Sequence, residues 1–270
     1  MKKVRWLILL GVYVALSLGH ATAAEPPYAA AYAASTDLRE FVDGRAASPK
    51  DGSFFYAFWA RWECMDDGGI ARRVAKETPP SPGSAQEAAL RKELERCRNM
   101  PANVAGGTMQ RDEVVIGRKE GDKLFAKFDG KNGSWFYVDN QSTLQLALHL
   151  MSAANDPNMV WVLAQKLAGL GMYRIAINGQ RPNEETGRSV YAAFLLAACD
   201  LNVDCGKSHR WMRTWCIQNA ECSDVTMEAY WQRVDQTRHE MEWALINQYR
   251  SLIGAAARSG DWSSFVLLPD

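Results

Sequence analysis

The residues best suited to acid–base chemistry stand near the carboxyl end of the chain. Asp235, His239 and Glu242 follow one another at steps of four and three residues, which places them on neighbouring turns of one helix. A carboxylate beside a histidine can orient the ring as a general base. The same spacing is typical of a solvated helix face with ordinary stabilising pairs, and without a further motif around it the pattern favours that interpretation.

A second set of carboxylates comprises Glu63, Asp66 and Asp67, in a segment rich in aromatic residues. Glycan hydrolysis needs an acid and a base roughly 5–10 Å apart, and two carboxylates can supply both. Spacing along the chain does not establish that separation, and acidic residues near a helix end are common. These residues are therefore candidates for an alternative, catalytic function.

Basic and aromatic residues alternate over residues 209–215, which read His-Arg-Trp-Met-Arg-Thr-Trp. Such a segment can bind a glycan or nucleic acid through stacking and cation–π contacts. Two of its tryptophans are four residues apart, which favours the other interpretation: on a helix they pack together beside Cys216 while the arginines reach solvent. The candidate ligand or partner surface consists of His209, Arg210, Trp211, Arg213, Trp215, Asp235 and His239.

The sequence signatures of common catalytic and cofactor sites are absent. The chain has no His-Glu-x-x-His zinc motif, no Gly-x-Ser-x-Gly nucleophile turn and no glycine-rich phosphate loop. Its 31 basic and 31 acidic residues balance, which argues against nucleic-acid binding through bulk positive charge. We expect no catalytic site, no cofactor, no metal ion and no nucleic-acid partner.

The amino terminus has the three parts of a secretory signal peptide. Met-Lys-Lys-Val-Arg is followed by an apolar run over residues 6–19 and then by Ala21-Thr22-Ala23. The apolar run is shorter than the roughly 20 residues that a membrane helix needs. We expect residues 1–24 to be a signal peptide, and residues 25–270 to be a single exported domain without stable membrane insertion. Cleavage would leave 28 basic and 31 acidic residues, a net charge of −3.

Six cysteines remain in the expected mature chain: Cys64, Cys97, Cys199, Cys205, Cys216 and Cys222. An even number in an exported protein favours disulfides, for which 15 pairings exist. The first two cysteines lie on two predicted helices joined by a proline-rich loop, so they could clamp a helical hairpin. The other four form two Cys-x5-Cys units, which favours local pairs, although crossed pairings stay open. A zinc site is the alternative, but its usual spacing is tighter.

Helical periodicity dominates the expected mature chain. Phe55, Phe58, Trp59 and Trp62 recur at steps of three and four, which is typical of a core helix, with an aromatic ligand cleft as the alternative. The composition of residues 84–98 predicts a strong helix, and Ser84 with Glu87 three residues on matches a capping box at its start. Ser35 is the expected cap of an earlier short helix, and residues 225–257 trace one long helical stripe.

Residues 111–140 are ambiguous. They contain short runs of β-formers and a Lys-Asn-Gly turn, which predict either a small β-hairpin insertion or two short helices. The fold class that we expect is therefore mainly α, an irregular array of packed helical hairpins with a possible small β-hairpin in this region.

Two turns carry a resemblance to a repeat family. Residues 153–157 read Ala-Ala-Asn-Asp-Pro between two apolar helical segments, and residues 257–262 read Ala-Arg-Ser-Gly-Asp-Trp after a long helix. Such turns resemble those of Sel1-like and tetratricopeptide helical hairpins, and the layout is similar to exported helical proteins of Gram-negative bacteria. The resemblance implies a helical interaction surface and no catalysis.

These features together predict a non-catalytic binding or adaptor protein of the cell envelope, periplasmic or secreted, whose partner is another envelope protein or a peptide. A cell-wall glycan or peptide hydrolase with helix-borne carboxylates is one alternative. A toxin inhibitor or immunity-type protein is the other.

Overall fold

A computed structural model describes residues 27–44, 52–100, 108–127, 138–238 and 242–269. The elements are α1 (Pro27–Ala34), α2 (Leu38–Asp43), α3 (Ser53–Glu77), α4 (Ala85–Arg96), α5 (Thr108–Lys119), a 3₁₀ turn (Phe125–Lys127), α6 (Gln141–Ala153), α7 (Pro157–Gly171), β1 (Ile175–Ile177), α8 (Glu184–Asp200), α9 (Arg210–Asn219), α10 (Met227–Arg238), α11 (Trp243–Ser259) and β2 (Phe265–Leu267). The expected signal peptide lies outside the described residues. Within the described part of the chain, no helix combines the length and the apolar character that a membrane span requires.

The mainly α fold is confirmed, and it includes a small antiparallel β pair, which is formed outside residues 111–140. The two strands are β1 and β2, in which Ile175 pairs with Leu267 and Ile177 with Phe265. In the ambiguous region, α5 covers residues 114–116, while residues 128–137 lie outside the described part. The single stripe expected over residues 225–257 is divided between α10 and α11, and residues 239–241 between them lie outside the described part as well.

The helices pack as two groups. In the α3 group, α3 contacts α1, α2, α4, α5 and α9. In the α8 group, α8 contacts α7, α10 and α11, and α6 packs on α7 and α11. One hydrophobic core runs through both groups. A buried hydrogen bond also joins them, because the Tyr56 hydroxyl on α3 donates to Asp156 Oδ2 at 2.5 Å and Asp156 caps α7.

The aromatic face of α3 is the centre of the first group, as the periodicity predicted. Phe55 and Phe58 are fully buried and pack edge-on against Phe125. The first turn of α3 is held by Asp122, whose Oδ2 accepts from the backbone N–H groups of Phe54 and Phe55. This buried carboxylate satisfies donors that a helix start leaves unpaired.

Two glycines allow α7 and α8 to pack closely. A Cβ on Gly171 would lie 2.8 Å from Val190 Cγ1, and a Cβ on Gly187 would lie 2.4 Å from the Met172 carbonyl oxygen. Both distances are shorter than a carbon contact tolerates, so a side chain at either position would push the helices apart.

All six cysteines are paired in three disulfides. Cys64–Cys97 joins α3 to the end of α4 and therefore clamps the predicted hairpin. The other four cysteines form the two local pairs, Cys199–Cys205 and Cys216–Cys222.

Candidate ligand-binding cavity

A cavity of about 250 Å³ lies where the α3 group meets the α8 group. Aromatic rings line it from three helices: Tyr32 on α1, Trp59 on α3 and Trp161 on α7. Since liquid water occupies about 30 Å³ per molecule, this space corresponds to about eight waters. It can hold one small organic group.

Ionisable side chains in and behind the cavity wall form a linked group of four and a neighbouring pair. The two are here together named the charge cluster: Glu63, Glu93, Arg96 and Arg213, with Asp67 and Arg210. Its three acids and three arginines come from α3, α4 and α9. Burying six charges is costly unless each is paired, so the close packing of these three helices depends on the pairing.

Glu63 is the centre of the cluster, with a side chain that is 1% exposed. Its Oε1 accepts from Arg96 Nε and from Arg213 Nη2, both at 2.9 Å, and its Oε2 accepts from the Tyr32 hydroxyl. Arg96 also donates through Nη2 to the Tyr32 carbonyl at 2.7 Å and through Nη1 to the Ser35 carbonyl. Glu63 and Arg96 thereby bind α1 and the following turn to α3 and α4.

The other two acids bind α9. Arg213 Nε donates to Glu93 Oε2 at 2.7 Å, and Arg213 Nη1 donates to the Ser208 carbonyl at 3.1 Å. Arg210 Nε donates to Asp67 Oδ2. Because the two arginines are three residues apart, they lie on one face of α9, opposite the acids of α3 and α4.

The environment of the acids separates their pKa values. Burial opposes ionisation of Glu63, but attraction to Arg96 and Arg213 outweighs it, so the pKa of Glu63 lies below its usual range. Burial raises the pKa of Glu93, and the negative charge of Glu63 adds to that effect. Burial likewise raises the pKa of Asp67, and pairing with Arg210 offsets only part of the increase.

His209 lines the cavity as the N-cap of α9. Its Nδ1 accepts from the Trp211 backbone N–H at 3.2 Å, so the neutral ring carries its proton on Nε2. The ring packs edge-on against Trp161, with 4.2 Å between the centroids. Burial, followed by the charges of Arg210 and Arg213, lowers the pKa of His209 to about 3. The histidine is therefore a neutral hydrogen-bond donor near pH 7.

The structure divides the candidate surface taken from the sequence. His209, Arg210 and Arg213 come together at the cavity. Trp211 and Trp215 instead stack on each other, with centroids 5.5 Å apart, and pack against Tyr230 and Trp231. The prediction that these tryptophans pack together is thus confirmed.

The expectation that the arginines reach solvent is wrong. The side chains of Arg210 and Arg213 are 20% and 10% exposed, because buried carboxylates on α3 and α4 face them. Asp235 is half-buried on α10, and His239 lies outside the described residues, so the Asp235–His239 pair stays a prediction.

The carboxylates proposed for hydrolysis also separate. Asp66 is exposed, whereas Glu63 and Asp67 are buried and paired with arginines. Among the described residues, no group of three or more histidine, cysteine or acidic side chains is arranged to hold a metal ion.

Comparison of the chain with protein-family models, with curated proteins and with solved structures finds no match. The Sel1-like resemblance therefore stays a prediction.

Proposed function

We propose that the protein is an exported, non-catalytic binding protein of the cell envelope, and that its ligand enters the cavity between α1, α3, α7 and α9. The observation that carries this proposal is the cavity itself, which aromatic rings and hydrogen-bond donors line. The buried carboxylates of the charge cluster, Glu63, Asp67 and Glu93, are each paired with an arginine. Cavities with apolar walls and a few placed polar groups are typical ligand sites.

Two observations support export. The first 24 residues have the pattern of a signal peptide, and disulfides persist mainly in oxidising compartments. The three disulfides therefore fit a periplasmic or secreted protein.

A hydrolase is supported less well. A general acid near pH 7 needs a raised pKa and free access to the leaving group. Glu63 has a lowered pKa and accepts from three side chains. Glu93 and Asp67 have raised pKa values, but an arginine is bound to each.

The test uses a matched pair of tryptophan substitutions on α1. Ala33 is exposed and lines the cavity, so Ala33→Trp would block it, whereas Ala30 is exposed and does not line it. The mature protein, Ala33→Trp and Ala30→Trp would each be used to capture ligands from an envelope extract, followed by mass spectrometry.

We expect the wild type and Ala30→Trp to recover the same molecule, and Ala33→Trp to lose it. Equal recovery by both variants would mean that the ligand binds elsewhere. Turnover of purified cell-wall glycan or peptide, abolished by Glu93→Gln, would establish the hydrolase instead.

A further inference from the structure

The three arginines of the charge cluster differ in how many of their donors are used. Each guanidinium offers five N–H groups. Arg96 and Arg213 each donate through Nε and both Nη atoms to acceptors within the protein. Arg210 donates through Nε alone to Asp67, and no further hydrogen bond from it is found among the described residues.

The Nη edge of Arg210 is therefore available in a residue that lines the cavity. Because Asp67 takes Nε, the two Nη groups present parallel N–H bonds, which match the two oxygens of a carboxylate. Arg210 also lines a neighbouring cavity of about 220 Å³, and the side chain thus stands between the two spaces.

His209 adds a second donor. Its Nδ1 is occupied by the Trp211 backbone N–H, and within the described part of the chain its Nε2–H has no acceptor. A neutral imidazole in this tautomer donates at Nε2 and cannot accept there. Both groups can therefore donate to an acceptor placed in the cavity.

The formal charges in and behind the cavity wall balance, because the three arginines of the charge cluster are matched by its three acids and Lys92 is matched by Asp204. Lys92, Arg96, Arg210 and Arg213 line it together with two acids, Glu63 and Asp204. The oxygens of Glu63 are taken by internal donors, and the Ser208 hydroxyl donates to Asp204 at 3.4 Å. At the His209 ring, the charges of Arg210 and Arg213 have a larger effect on the pKa than those of Asp204 and Glu63, and the donors left available there favour an anion over a cation.

The remaining walls suit an apolar body. Trp59 and Trp161 are 7% and 4% exposed and line the same space, and aromatic rings bind planar or aliphatic groups well. A space of about 250 Å³ has room for one ring or short chain with its carboxylate.

We propose that the cavity recognises a carboxylate attached to a compact apolar group, with the carboxylate on the Nη edge of Arg210 and on His209 Nε2–H, and the apolar group against Trp59 and Trp161. This inference rests on the proposed function and names its ligand chemistry. A free aryl or alkyl acid and the last residue of a peptide both present this chemistry.

The test measures the affinity of three probes of one shape by calorimetry: phenylacetate, its neutral amide, and phenethylamine. Two peptides distinguish the source, acetyl-Ala-Ala-Phe with a free carboxylate and the same peptide as its amide. We expect the free carboxylate to bind at least ~10-fold more tightly than the matching amide, since a charge-assisted bidentate contact is lost in the amide. Binding by phenylacetate alone would identify a small acid, and tighter binding by the peptide acid would identify a peptide terminus.

Two variants test the roles assigned to Arg210 and His209, and a third is the control. Arg210→Lys keeps the charge but removes the planar fork, and His209→Asn keeps an N-cap but removes Nε2–H. Each should weaken phenylacetate binding by about 10-fold. Arg250→Lys is the control, because Arg250 makes a two-point contact with Asp200 and does not line the cavity. Circular dichroism would establish that each variant is folded, and the double variant Arg210→Gln with Asp67→Asn replaces Arg210→Lys if that variant does not fold.

Equal affinity for acid and amide, or preference for the amine, would overturn the carboxylate proposal and leave the proposed binding function standing. If no probe binds at millimolar concentration while Ala33→Trp still abolishes capture from extract, the carboxylate proposal is likewise overturned and the proposed binding function stands. Failure of both experiments would remove both proposals. Loss of binding in Arg250→Lys equal to that in Arg210→Lys would also refute the assigned role of Arg210.

Discussion

Replacing Glu63 by glutamine removes one negative charge from the centre of the charge cluster and changes the shape of the side chain very little. In the wild type, Glu63 is 1% exposed, and the arginines that it pairs with, Arg96 and Arg213, are 7% and 10% exposed. Removing one partner of such a buried pair leaves charge that water cannot solvate. The expected loss of stability is about 3–5 kcal/mol.

Two effects set where in this range the value falls. Glutamine keeps one acceptor oxygen but presents an amide to the Tyr32 hydroxyl, which must then find another acceptor. In the opposite direction, Glu63 contributes to the raised pKa of Glu93, so Glu93 ionises more readily once Glu63 is neutral and restores part of the charge balance. The first effect favours the upper end of the range and the second the lower end.

The assay is thermal and urea unfolding followed by circular dichroism, with Glu95→Gln as the control. Glu95 pairs with Arg98 on the surface, where the side chains are 55% and 63% exposed. Such exposed pairs typically contribute about 0.2–1 kcal/mol. For a chain of this length, about 3–5 kcal/mol lowers the Tm by roughly 6–20 °C. A Tm for Glu63→Gln within about 3 °C of the control would refute the view that the cluster is desolvated and holds the helices together.

Three further perturbations have expected outcomes. The pKa of His209 is about 3 when folded and about 6.5 when unfolded, so between those values only the unfolded state gains a proton. Urea titrations should show the wild type losing about 1.6 kcal/mol more than His209→Asn from pH 6.5 to 5, and parallel curves would contradict this. In thermal unfolding, Gly169→Ala should stabilise the protein by about 0.5–1 kcal/mol, because Gly169 is helical and has open space around it. Gly187→Ala should destabilise it by about 1–3 kcal/mol, because the new Cβ meets a backbone carbonyl. Effects of the same sign would contradict the close packing of α7 on α8. A disulfide that closes a longer loop restricts the unfolded chain more. Replacing Cys64 and Cys97 together by alanine should therefore lower the free energy of unfolding in urea by about 3.7 kcal/mol, against about 2.2 kcal/mol for removing either of the two shorter disulfides. Equal losses would contradict this dependence on loop length.

Local features of the fold could be predicted from the sequence because short-range chemistry determines them. The Ser84 hydroxyl accepts from the Glu87 backbone N–H, as the capping pattern predicted, although the Glu87 carboxylate returns to Gly83 and not to Ser84. The N-cap of α2 lies two residues later than predicted. Asp37 caps the helix, and the Ser35 hydroxyl donates to the Asp37 carbonyl. Several polar residues precede this helix, and periodicity does not distinguish among them.

The cavity could be predicted only in part. The sequence indicates the basic and aromatic segment around His209, but Glu63 and Arg213 are 150 positions apart and only packing brings them together. A signal did exist in α4, where Glu93 and Arg96 stand beside Leu90 and Cys97 on a stripe that should be apolar. Charged residues on a buried stripe require partners, and their identity depends on which helix packs opposite.

The central claim is that the cavity holds a carboxylate ligand. Nuclear magnetic resonance of the Arg210 side chain and of the tryptophan indole N–H groups, during titration with phenylacetate, tests this most directly. We predict saturable shifts at Arg210, Trp59 and Trp161, and none at Trp262, which is buried against Phe265 and does not line the cavity. The same shifts with the neutral amide at equal affinity, or saturable shifts at Trp262 without any at Arg210, would contradict the account.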